Sequence, residues 1–160
     1  MIFWEIFKNS IKLPNKKAMR QINQVGMDYT VFYMFLLLAI ISIPSFFDQV
    51  IGNNGPDIDV NIFLFTVYFF IFFYLPLVLI IFGLISLLAY ISVIFANIVQ
   101  RKLTFGLLWK WIAYTTTIPF VIYTLVALFY DFSVTYLAIT AIYSFTLVVI
   151  MILSFPKRRT

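Results

Sequence analysis

The chain offers very little ionisable chemistry. It has no His and no Cys, which excludes disulfides, thiol nucleophiles and the zinc, haem and iron–sulfur sites that those ligands build. Its carboxylates are Glu5, Asp28, Asp48, Asp57, Asp59 and Asp131. No two of them share a helix face inside an apolar segment, so no general acid–base pair can be assembled from the spacing. Nor does any charge sit deep in an apolar run, where proton relays and ion-coupled carriers place theirs. No enzyme, cofactor or metal is expected.

Three polar features remain. In Thr115-Thr116-Thr117-Ile118-Pro119 the proline removes a helix N–H and frees the Thr115 carbonyl, so a kink is expected there, with neighbouring hydroxyls satisfying the backbone. That pattern serves either as a structural kink or as a hinge with a polar lining. The second feature is Asn97 with Gln100, placed by their position beside Arg101 for simple solvation. The third is the aromatic cluster Phe69, Phe70, Phe72, Phe73 and Tyr74, which reads as lipid-facing bulk and packing. Basic residues gather apart from these, Arg101 and Lys102 with Lys110 in the same stretch as Trp109 and Tyr114, and earlier Lys16, Lys17 and Arg20.

The elements that must position these residues follow from composition. Of 160 residues, 64% are hydrophobic and only 11% charged, with mean hydropathy +1.05. Soluble domains run to about half apolar and a quarter charged, so lipid must be the solvent for most of this chain. The expected fold is all-α, a polytopic membrane helix bundle in a single domain, 1–160. An amphipathic interfacial helix covers 2–13, with Phe3, Trp4, Phe7 and Ile11 on one face and Glu5, Lys8, Asn9 and Lys12 opposite. A linker follows at 15–26. Four transmembrane helices are expected at 29–47, 62–88, 111–130 and 134–155, and Pro44 should loosen the end of the first. The first long apolar run begins too late, and with no small-residue cleavage pattern, to be a cleaved signal.

The stretch 62–100 is apolar almost throughout and would be about 58 Å long as one helix, against a hydrocarbon thickness of about 30 Å. It crosses once or forms a hairpin. A single crossing puts every Lys and Arg on one side, with Asp48, Asp57, Asp59 and Asp131 on the other, as the positive-inside rule demands. It also leaves 89–100 as a continuation of the helix or an interfacial segment. Segment 101–110 becomes a basic amphipathic connector, with Trp109 and Trp111 at the inner interface. Asp131-Phe132-Ser133 makes a short outer turn. Both termini are then cytoplasmic, in a multi-pass protein of the cell membrane. The excess of basic residues serves orientation and anionic lipid headgroups rather than nucleic acid.

The stretch RKLTFGLLWKWIAYTTTIP carries a basic pair (Arg101-Lys102), a Leu108-Trp109 segment and an Ala113-Tyr114…Pro119 span. With the aromatic opening IFKNSIKLP and the Ser42–Ser45 motif SIPS, it resembles a bacterial membrane family known as maltodextrin utilization proteins, related to the Yip-type membrane domain. The chain departs from that pattern in its shorter first outer loop. The resemblance implies a bacterial, non-enzymatic adaptor or accessory protein acting on a protein partner or as a homo-oligomer. The alternative is a component of a small-solute transport system, or an oligomeric pore. Arg101, Lys102, Trp109, Tyr114, Thr115, Thr116, Thr117 and Pro119 are the candidate functional or structural residues.

Overall fold

The computed structural model describes residues 2–51, 62–127 and 135–155. The outer loop at 52–60, the outer end of the third span with the turn at 131–133, and the basic tail at 157–159 lie outside them. Every regular element among the described residues is helical: α1 (Ile2–Ile11), α2 (Lys16–Gln24), α3 (Met27–Ile51), α4 (Ile62–Phe69), a π turn (Phe70–Tyr74), α5 (Leu75–Ile98), α6 (Phe105–Thr115), α7 (Thr117–Ala127) and α8 (Thr135–Ser154). Four helical stretches are long and apolar enough to cross a membrane, Met27–Val50, Ile62–Ile98, Phe105–Ala127 and Tyr136–Ser154. Their outward residues are large and apolar, among them Phe32, Phe63, Leu79, Ile98 and Ile142, all more than half exposed. A surface of that kind is intolerable in water and ordinary in hydrocarbon. The chain is an integral, multi-pass membrane protein.

Helix α3 runs past Pro44 to Ile51 without a break, so the loosened last turn expected there is not seen. The stretch from Ile62 to Ile98 is continuous and passes Leu88 unbroken, giving a rod of about 55 Å at 1.5 Å per residue. Its one irregularity is the π turn. Pro76 cannot donate to the carbonyl of Phe72, and its ring crowds that carbonyl. The wider turn relieves this, with the Leu75 N–H reaching back to the Phe70 carbonyl.

The rod ends in a Schellman turn. Gln100 takes the left-handed conformation at φ 57°, Arg101 N–H donates to the Ala96 carbonyl at 2.8 Å, and Gln100 N–H to that of Asn97 at 3.0 Å. A side chain in this region costs about 1 kcal/mol that glycine does not pay. Gln100→Gly is therefore expected to raise the resistance of the folded protein to denaturing detergent by up to about 1 kcal/mol, read as a shift in unfolding midpoint.

Segment 15–26, expected to be a linker, is the helix α2. Asn15 caps it, its side chain accepting the Lys17 N–H at 3.1 Å, and Ala18, Met19 and Ile22 form its buried side. Helix α1 has three faces rather than two. It ends at Ile11, short of the expected 13; Ile6 and Ser10, with Leu13 in the turn that follows, are buried against the bundle, Phe3, Trp4 and Ile11 stay exposed, and so do Lys8 and, in that turn, Lys12. The third spanning helix begins at Phe105, not after a connector. It is the hub, packing against α1, α2, α3, α5 and α8, and Leu108–Thr117 is buried on nearly every side.

Candidate functional site

The polar side chains of the bundle converge where α1, α2 and α3 meet α6 and α7. Thr30 and Tyr33 lie one turn apart on α3, and Tyr114 and Thr117 are spaced alike across the α6–α7 junction. They pair in register: the Thr30 and Tyr114 hydroxyls are 2.7 Å apart, and those of Tyr33 and Thr117 3.0 Å. Ser10 of α1 adds its hydroxyl beside Tyr33, while donating to the Ile6 carbonyl at 2.8 Å. The Tyr33 and Tyr114 rings tilt against each other with centroids 5.7 Å apart. In a medium without water such hydrogen bonds hold helices together, each contributing about 1 kcal/mol.

One turn toward the basic end, α6 grips α2. Trp111 Nε1–H donates to the Asn23 side-chain oxygen at 2.8 Å. The Lys110 ammonium donates to the carbonyls of Asn23 at 3.1 Å and Val25 at 2.9 Å. These carbonyls end α2, where partial negative charge gathers, so a cation is favourably placed. Trp109 Nε1–H donates to Ser86 of α5 at 3.1 Å. Trp109 and Trp111 are therefore not interfacial anchors. Both are buried: α2 packs over the end of α6 and covers Trp111, while Trp109 lies against Phe82 of α5.

The threonine run is committed as well. Thr115 and Thr116 donate back to the carbonyls of Ile112 and Ala113 at 2.9 and 2.8 Å, one turn before the Thr115 carbonyl that Pro119 frees. The helix is interrupted at Thr116, three residues before Pro119. The Pro119 carbonyl accepts the Tyr136 hydroxyl of α8 at 2.6 Å, so the irregular turn also fastens the fourth span.

Arg101 and Lys102, adjacent in sequence, do different things. Arg101 reaches the Leu153 carbonyl in the last turn of α8 at 3.1 Å, again a cation on a helix C-terminus, whereas Lys102 is exposed. Tyr114, Thr117 and Pro119 thus fall in one neighbourhood, with Trp109 and Arg101 in separate contacts and Lys102 on the surface. Sequence reasoning missed Ser10, Asn23, Thr30, Tyr33 and Ser86. The matched three-residue spacing of Thr30/Tyr33 and Tyr114/Thr117 was the available signal. Among the described residues no group of three or more His, Cys, Asp or Glu is gathered. No family model, curated protein or solved structure matches the chain.

Proposed function

We propose that this membrane protein is a non-enzymatic adaptor or accessory partner, acting through the exposed basic residues at one end of its bundle. The carrying observation is the division of labour among polar groups. The buried hydroxyls and indoles near the threonine run are spent on holding helices together, while Lys16, Lys17, Arg20 and Lys102 stand exposed. An adaptor of this kind is what the resemblance to the Yip-type domain and the bacterial maltodextrin utilization family implies. Positive-inside charge supports cytoplasmic termini in the cell membrane, with anionic lipid headgroups, and a protein partner or second copy, at the basic end.

The test is recovery of a crosslinked complex from native membranes. Recovery should be salt-sensitive, since exposed charges are screened within about 8 Å at physiological ionic strength, and Lys102→Gln should weaken it and leave what remains less salt-sensitive. Arg101 is a poor probe because its side chain also ends α8. A transport component or oligomeric pore is the second reading, favoured by one observation. On α8 the buried hydroxyls of Thr140 and Ser144, one turn apart, have no hydrogen-bond partner, and a polar solute or water passing between the helices would supply one. That reading requires solute flux through the purified protein in liposomes, abolished by Thr140→Val with Ser144→Ala. Flux of that kind, with complex recovery indifferent to Lys102, would replace the adaptor reading.

A further inference from the structure

Helices α1 and α2 enclose a groove of about 400 Å³. Lys8 lines it from α1, Lys12 from the turn after α1, and Lys17, beside the capping Asn15, from α2. Glu5 is the one carboxylate in its wall. Three ammonium groups against that carboxylate leave an excess of two positive charges. The arrangement is electrostatically incomplete. Lys16 and Lys17 open α2, whose first turn holds no acidic residue, so cations crowd the end of a helix that already carries partial positive charge. An anion seated between Lys12 and Lys17 would turn that repulsion into attraction.

We propose that the groove seats the headgroup of a phosphate-monoester lipid, a dianion whose charge matches the excess. Inorganic phosphate shares this chemistry, but the surroundings favour a lipid. Beside the lysines, α1 turns an exposed apolar face outward through Phe3, Trp4 and Ile11, and Lys8 Nζ lies 5.1 Å from the centre of the Trp4 ring. Acyl chains can therefore run along α1 while the phosphate lies among the ammonium groups. Lys110 and Arg101, whose cations already serve backbone carbonyls, take no part. The proposal rests on the membrane-surface placement of the basic end proposed above, and sharpens general headgroup attraction into one saturable site.

The experiment uses the full chain in phosphatidylcholine nanodiscs doped with phosphatidic acid, with lipid retained per protein read by native mass spectrometry. One phosphatidic acid per chain is expected, with phosphatidylglycerol, a singly charged diester, held roughly tenfold less tightly. Lys12→Gln with Lys17→Gln should lower retention about 30-fold, the attraction of two interfacial cations. Lys157→Gln with Arg158→Gln, equal in charge lost, should leave it unchanged. Equal losses in the two double variants, or equal retention of phosphatidylglycerol, would overturn the site in favour of diffuse attraction. Displacement of the lipid by inorganic phosphate would overturn the lipid assignment. A nitroxide at Ile11→Cys reads placement separately: a water-exposed label sinks placement and site together, whereas equal losses with a lipid-exposed label sink the groove alone.

Discussion

Trp111→Ala is expected to destabilise the bundle by about 3–5 kcal/mol, the range for truncating a fully buried aromatic. Trp111 is completely buried, packs its ring on Phe155 at 5.3 Å and holds Asn23 through its indole N–H. One substitution therefore opens a cavity in the hub, loosens the end of α8 and leaves the Asn23 amide without its partner. Trp111→Phe keeps most of the ring and loses the hydrogen bond, so about 1–2 kcal/mol is expected. Unfolding midpoints in mixed micelles of mild and denaturing detergent measure both. If the alanine variant unfolded with the unmodified protein, Trp111 would have to be the interfacial anchor that its position in sequence suggests.

Lys110→Met is expected to release α2 at a cost of about 2–3 kcal/mol, because two hydrogen bonds from a charged donor are lost along with the favourable charge at the helix C-terminus. The methionine fills the same space, so α6 should stay packed and the damage should be local. Hydrogen exchange is the suitable reading. Amides of 18–24 should exchange at least about 30-fold faster, the factor that 2 kcal/mol gives, while those of 108–114 keep their protection. Unchanged exchange in α2 would mean that Ala18, Met19 and Ile22 hold it in place unaided.

How much of this was legible beforehand differs by element. The four spans were, because long apolar helices announce themselves by hydropathy whatever surrounds them. The interruption at Thr116, ahead of Pro119, was too, since a missing N–H acts locally. Helix α2 was not: nine residues with three apolar side chains are polar on average, and only the bundle they pack against makes their spacing matter. For the same reason Trp109, Lys110 and Trp111 were placed at a membrane boundary. A short run of Trp and Lys is what such a boundary calls for, and nothing local says that α1 and α2 will fold over it. Of the site, the threonine run and Tyr114 could be singled out from their types and spacing. Their partners Thr30 and Tyr33, 84 positions away, are chosen by helix packing, and the matched three-residue spacing is their one trace in the sequence.

The account rests on a four-span bundle whose exposed basic end faces the cytoplasm, and accessibility of single cysteines tests this most directly, since the chain has no background thiol. Lys102→Cys and Asp48→Cys occupy exposed positions at opposite ends of the bundle. With a membrane-impermeant maleimide on intact cells, Asp48→Cys is expected to label at once and Lys102→Cys only after permeabilisation. Labelling of Lys102→Cys from outside intact cells would contradict the account.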